Sequence, residues 1–260
     1  MTDWNPALYL AHAGPRLRPA LDLLNRIDAA APADVCDLGC GTGTATRLLA
    51  ARWPQARIVG IDSSPAMLAQ AAAESPPGDR LTWRQADLSS WSPPPASADV
   101  VFSNAALHWL DDHATLLPRL MAALRPGGVL AVQMPDNFAA PSHQALFALA
   151  RDARWADRLV PLLREAPVAR PAEYRRLLAP LAADLDIWTT EYLHLLDGPD
   201  PVLTWTGSTI LRPLLDRLDP AEAKDLAAAY GAALRAAYPA DADGRTPFPF
   251  RRLFLVAVAA

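Results

Sequence analysis

Three aspartates recur at an even interval around a cluster of glycines: Asp37 in Asp37-Leu38-Gly39-Cys40-Gly41-Thr42-Gly43, Asp62 25 residues later, and Asp87 25 residues after that. Gly39 and Gly41 allow a tight turn and close approach of backbone to a ligand, with the amides of a following helix pointing at it. The dinucleotide fingerprint G-x-G-x-x-G requires glycine at 44, but that position is Thr44 and the third glycine falls at 43. Asp37, two residues before the first glycine, repels a pyrophosphate, whereas it attracts an ammonium group or a sulfonium. S-adenosylmethionine carries both of those cations and no phosphate. An acid at the place of Asp62 takes both ribose hydroxyls, each charge-assisted bond contributing about 1.5–3 kcal/mol. Asp87 is placed to accept from the adenine amino group, with the Leu88 amide donating to the ring. A single aspartate after a strand is ordinarily a cap or turn residue. Three at successive strand ends beside a glycine turn point to a cofactor.

Those residues need a scaffold of alternating elements. Residues 33–38 read as a short buried strand, 43–52 as a helix, 57–62 as a strand, 65–73 as a helix and 81–86 as a strand. Residues 99–103 and 128–133 read as further strands, with a helix over 111–124 between them. Such alternation implies right-handed βαβ units and a doubly wound, mostly parallel sheet, α/β in class, with ligands bound beyond the carboxyl ends of its strands. Before it, apolar positions 17, 20, 21, 24 and 27 form one helical stripe. After Met134 the pattern changes: 140–182 is helical between prolines, 185–193 is rich in β formers, 200–238 is helical, and 252–258 closes the chain as a strand. The expected organisation is a helical cover over 1–31 and an α/β core over 32–135. Residues 136–260 then hold helical lid segments at about 140–182 and 200–238, with the last two sheet strands at about 184–194 and 250–258.

Composition removes several function classes. The 24 Lys plus Arg against 28 Asp plus Glu give a net charge of −4, which argues against a nucleic-acid partner held by a diffuse basic surface. Lys224 is the single lysine, so nearly every positive charge is a planar fork suited to carboxylates. Ala supplies 53 of the 260 residues, which favours helix and inflates the apparent apolar content. Cys36 and Cys40 form no disulfide framework and lack a second Cys/His pair for zinc; a reduced, cytoplasmic protein without a metal is expected. The first residues carry no basic region before an apolar run, and no apolar stretch reaches 18 residues, so neither secretion nor a membrane is indicated.

Taken together, Asp37–Gly43, Gly60-Ile61-Asp62-Ser63-Ser64-Pro65-Ala66-Met67-Leu68, Ala86-Asp87-Leu88 and Leu124-Arg125-Pro126-Gly127-Gly128 make the chain resemble the class I S-adenosylmethionine-dependent methyltransferases. This resemblance covers about 32–134. It implies a seven-stranded Rossmann-like sheet, S-adenosylmethionine as co-substrate, and Asp37, Gly39, Gly41, Asp62, Ser63, Asp87, Leu88 and Asn104 around it. A narrower similarity, to the trans-aconitate 2-methyltransferase family, rests on Asp3-Trp4-Asn5-Pro6, Leu8-Tyr9-Leu10, Arg16-Leu17-Arg18-Pro19-Ala20 and Asn104-Ala105-Ala106-Leu107-His108-Trp109-Leu110. It continues through Val132–Asn137, Asp186-Ile187-Trp188, Leu211-Arg212-Pro213 and Pro249–Phe254. Esterification of one carboxylate of a small tricarboxylate is what it implies. His12 and Ile210 depart from the family pattern at positions that bear on acceptor preference.

A carboxylate with a pKa of about 4 is already ionised at neutral pH, so its methylation needs no general base. Positioning and exclusion of water supply the rate, on the order of 7–11 kcal/mol, and no residue is expected to be an essential acid or base. Burying a trianion does require cations, and the candidates are Arg170, Arg212 and Arg251, with Arg16 near the N-terminal cover. His108 and Trp109 follow the fourth strand, where the family places residues between cofactor and acceptor; His108 is suited to orienting a carboxylate. Tyr9, Tyr174 and Trp205 are further acceptor-site candidates. Two alternatives stay open: transfer to a phenolic oxygen or carbon, which needs a base such as His108, and a non-catalytic cofactor-binding module. The chain is read as a monomer or small homo-oligomer acting on a small molecule.

Overall fold

In a computed structural model of the protein, which describes residue 14, residues 17–75, residue 78 and residues 80–260, seven strands form one sheet in the order β3-β2-β1-β4-β5-β7-β6. The strands are β1 (Asp34–Leu38), β2 (Arg57–Asp62), β3 (Leu81–Gln85), β4 (Ala98–Asn104), β5 (Leu124–Pro135), β6 (Ala182–Leu196) and β7 (Thr246–Ala259). β1 pairs in parallel with both β2 and β4, β2 with β3, and β4 with β5. The order reverses between β1 and β4, so the switch point of the doubly wound sheet lies at the ends of those two strands. Val100, Val101 and Phe102 of β4 and Leu130, Ala131 and Val132 of β5 are fully buried, as expected of strands covered on both faces.

The first helices are α1 (Arg18–Leu24), α2 (Thr44–Arg52), α3 (Pro65–Ala73) and α4 (His113–Ala122). Each starts at a local signal. Gly43, left-handed at φ +75°, precedes α2; the Ser64 hydroxyl and Pro65 open α3; and the Asp112 carboxylate accepts the Thr115 N–H at the start of α4. The expected helix over 111–124 stops at Ala122, and Leu124 already pairs with Ala98 in the sheet. Between Leu124 and Val129 the chain bulges out through Gly127, at φ +76°, before pairing resumes at Val100. The Arg125 guanidinium reaches Asp34 and Asp99 from this bulge, each at 2.8 Å.

Beyond β5 come α5 (Pro141–Ala150), α6 (Ala156–Leu159), α7 (Pro171–Leu178), α8 (Pro201–Thr206), α9 (Arg212–Leu215) and α10 (Pro220–Ala237). A π-helical turn over Gly207–Leu211 joins α8 to α9; Pro213 has no N–H to return to the Thr209 carbonyl, which interrupts the regular ladder there. Asp219 and Glu222 form a capping box at α10.

The chain divides into two compact units, one running to Met134 and taking in Pro167–Thr190 and Arg252–Ala260, the other comprising Pro135–Ala166 and Glu191–Arg251. The expected first lid block is therefore split near Pro167: α5 and α6 belong to the second unit, while α7 belongs to the first, where Tyr174 is buried and bonded to His113. The second unit has its own core, in which Leu146, Trp155, Leu226, Tyr230, Leu234 and Phe248 pack together. No helix among the described residues is long and apolar enough to cross a membrane.

Candidate functional site

Asp37 sits one residue before the end of β1, in register with Gly60 of β2 and Phe102 of β4. It is 1% exposed, and its Oδ2 accepts the Thr46 hydroxyl at 2.6 Å. Burial pushes its pKa up to about 7; the Thr46 hydrogen bond opposes that rise and the neighbouring charge of Asp62 adds to it. A carboxylate held dry with one hydroxyl and no cation among the described residues is poised to gain one.

Asp62 ends β2 and organises the glycine turn. Its Oδ2 accepts the Gly41 N–H and its Oδ1 the Ser64 N–H, both at 2.9 Å. Gly41, at φ +53°, has no atom of the described residues within 4 Å of the place a Cβ would occupy, which leaves room among them for close approach of a ligand to the backbone. Gly39, at φ +71°, is glycine for the opposite reason, since a Cβ there would lie 2.1 Å from the Ala106 Cβ. The glycine turn and the segment after β4 therefore touch. Ser63 is exposed, with its carbonyl accepting from the Gln85 amide at 3.2 Å. Asp87 is exposed too, and its Oδ1 accepts the Ser89 N–H at 2.9 Å, which holds its pKa below the usual carboxylate range. Leu88 is buried, with its carbonyl accepting from Arg119 at 2.9 Å. Asn104 ends β4 with its Oδ1 buried and without a hydrogen-bond partner among the described residues, an acceptor at the switch point that suits a donor from the cofactor.

These observations fit S-adenosylmethionine. Asp37 and Asn104 offer acceptors for an ammonium group, Asp62 keeps lone pairs on both oxygens, and the open face of Gly41 admits close approach. Nothing in the set favours a pyrophosphate.

After Asn104 the chain turns sharply through Ala105, at φ +55°, into a single 3-10 turn, Leu107–Trp109. His108 is 7% exposed and Trp109 48%, their ring centroids 4.8 Å apart. Because Ala106 abuts Gly39, this turn lies beside the candidate cofactor loop. Tyr174, expected at the acceptor, is buried, with its hydroxyl bonded to His113 at 2.7 Å and to the Ala169 N–H at 3.1 Å. Arg170, also in the first unit, is 87% exposed and pairs with Glu173 at 3.0 Å.

Trp205, Arg212 and Arg251 belong to the second unit. Trp205 packs in an aromatic group with His194, Phe248 and Phe250, at centroid distances of 4.7, 6.0 and 6.2 Å. Arg212 pairs with Asp216 one helical turn away at 2.7 Å. Arg251 pairs with Asp136 at 2.8 Å and lines a cavity of about 620 Å³ together with Asp136, Glu191 and Asp241. Among the described residues this cavity sets one guanidinium against three carboxylates, a balance that disfavours a tricarboxylate. Tyr9, His12 and Arg16 lie outside the described residues.

Sequence reading missed Thr46, Ala106 and His113. Thr46 had a usable signal, a hydroxyl on the buried face of the helix after the glycine turn. The Ala106 and His113 contacts depend on chain crossings that spacing does not reveal.

A family model described as a methyltransferase domain matches residues 35–128. The chain is 49% identical to a trans-aconitate 2-methyltransferase of Streptomyces avermitilis, covering 98% of this chain and 96% of that protein. It is 47% identical to one of Methylobacterium radiotolerans, covering 99% and 98%. Among solved structures, the Bacillus subtilis protein YcgJ superimposes with a TM-score of 0.57 at 15% identity, over 93% of this chain and 98% of that one, which bears on the fold. With the buried acid of β1, the glycine turn on Asp62 and near full-length similarity in place, the chain belongs to the trans-aconitate 2-methyltransferase family.

Proposed function

We propose that the protein transfers a methyl group from S-adenosylmethionine to one carboxylate of trans-aconitate or a closely related small tricarboxylate, giving the monomethyl ester and S-adenosylhomocysteine. The observation that carries this reading is Asp37, a buried carboxylate with no cation beside it among the described residues, at the switch point of a chain similar over nearly its whole length to trans-aconitate 2-methyltransferases. The co-substrate supplies an activated methyl group on a sulfonium. Asp37 and Asn104 accept from its ammonium group, Asp62 from the ribose hydroxyls and Asp87 from the adenine amino group, while the Leu88 amide donates to the ring and Ser63 lies alongside. The acceptor is ionised at neutral pH, so the work of the chain is alignment and exclusion of water. His108 and Trp109 orient the acceptor carboxylate, and no residue has to remove a proton.

An acceptor of three charges still needs cations. Arg170 and Arg212 pair with exposed carboxylates on their own helices, and exposed pairs of that kind contribute only about 0–1 kcal/mol. Either fork can exchange its present partner for a substrate carboxylate at little cost. A reducing, cytoplasmic setting suits the free thiols Cys36 and Cys40, which burial pushes up to about 11 and about 12 and so keeps unreactive.

The test is a panel of acceptors with the full chain: trans-aconitate, other tricarboxylates and neutral phenols. Transfer to tricarboxylates supports the reading, and activity confined to phenols sinks it.

A further inference from the structure

The turn bearing His108 and Trp109 is braced from inside the protein by a chain of hydrogen bonds. His113, in the first turn of α4, is 7% exposed. Its Nε2 lies 2.9 Å from the Leu107 carbonyl oxygen and its Nδ1 lies 2.7 Å from the Tyr174 hydroxyl. A carbonyl can only accept, so the ring proton belongs on Nε2; in the neutral ring Nδ1 is then an acceptor and the Tyr174 O–H donates to it. The Tyr174 oxygen accepts in turn from the Ala169 N–H at 3.1 Å. With the ring neutral, a donor at Ala169 and an acceptor at Leu107 set the direction of the bonds between them.

The turn needs such a brace. It is three residues of 3-10 helix, entered through Ala105 at a positive φ that a side chain disfavours. The Leu107 carbonyl is fixed by two donors, the Leu110 N–H and His113 Nε2–H, both at 2.9 Å. Tyr174 anchors the far side, and its phenol ring is fully buried.

We propose that His113 and Tyr174 are positioning residues for the acceptor: they fix the Leu107 carbonyl and thereby the orientation of His108 and Trp109. The proposal rests on the reading that this turn meets the acceptor. Tyr174→Phe keeps the ring and deletes the O–H; His113→Leu removes the donor to Leu107; His113→Gln keeps an N–H in its place.

In the full chain, with trans-aconitate as acceptor, Tyr174→Phe and His113→Leu raise the acceptor KM about tenfold, with kcat and cofactor Kd within about twofold of the parent. His113→Gln recovers KM to within about threefold, and the double variant is no worse than His113→Leu alone, because the bonds act in series. Unchanged KM in both deletions overturns the proposal. So does a cofactor Kd that weakens in step with KM, which marks general loosening. A second readout does not depend on turnover: in protein labelled with 5-fluorotryptophan, the Trp109 fluorine resonance, assigned by its loss in Trp109→Phe, moves in the two deletions and returns in His113→Gln. An unmoved resonance overturns the brace. A moved resonance in a protein inert to every tricarboxylate overturns the acceptor reading and leaves the brace established. Should Tyr174→Phe not fold, the His113 pair carries the same test.

Discussion

Replacing Asp37 by Asn should stabilise the ligand-free protein while weakening its hold on the cofactor. Burial, above all, pushes this carboxyl up to about 7 from an ordinary 3.8. Between those values the folded state holds a proton that the unfolded chain has lost, so the contribution is fully present below pH 3.8 and disappears as the pH rises through about 7. The displacement corresponds to about 4 kcal/mol. Asn removes the ionisation, and its carbonyl still accepts the Thr46 hydroxyl. The variant should therefore melt higher than the parent at pH 8 and close to it at pH 4. Calorimetry should show S-adenosylmethionine binding weakened by about 10–100-fold, the value of a charge-assisted bond to the ammonium group. Parent affinity should also fall by about tenfold from pH 8 to pH 6, as Asp37 becomes protonated. An Asn variant that is less stable at pH 8, or that binds the cofactor as well as the parent, refutes the cation-seeking role.

Gly39→Ala places a Cβ 2.1 Å from that of Ala106 at a φ of +71°, so it should lower stability by about 2 kcal/mol or more; thermal melts of Gly39→Ala/Ala106→Gly should show partial recovery. Asp62→Ala removes the acceptor for the Gly41 and Ser64 amides as well as that for the ribose, and titration calorimetry should find cofactor affinity reduced at least about tenfold. His143 is buried between Phe138 and Phe147, and burial pushes its pKa down to about 4. The unfolded chain takes up the proton first, so this site contributes stability at neutral pH that is lost as the pH falls from 6.5 through about 4. Acid melts of His143→Phe should lack that loss.

Much of the site follows from local rules. The alternation of β1 to β5 with helices, and the acid-glycine spacing at Asp37, depend on patterns within a few residues of each other. Where the sequence misleads, longer-range effects decide. β7 begins at Thr246 rather than near 250, because Pro247 and Pro249, two residues apart, withdraw donors from one edge of the strand only and leave Phe248 and Phe250 buried on the other face. β5 begins four residues early because the Gly127 bulge returns Leu124 to Ala98. Tyr174 resembles an acceptor aromatic in sequence; its hydroxyl turns inward because α7 packs in the same unit as α4 and supplies the partner for His113. Arginine composition points to carboxylates as partners, and Arg170, Arg212 and Arg251 each hold one from the protein itself, a pairing that composition does not reveal.

Methyl transfer to a carboxylate is read out by identifying the product made from S-adenosylmethionine labelled with ¹³C in the transferred methyl group. With trans-aconitate as acceptor, a labelled monomethyl ester and S-adenosylhomocysteine should form in equal amounts. Label found on carbon or on a phenolic oxygen, or cofactor bound without any transfer to a carboxylate, rules out carboxyl methylation by this protein.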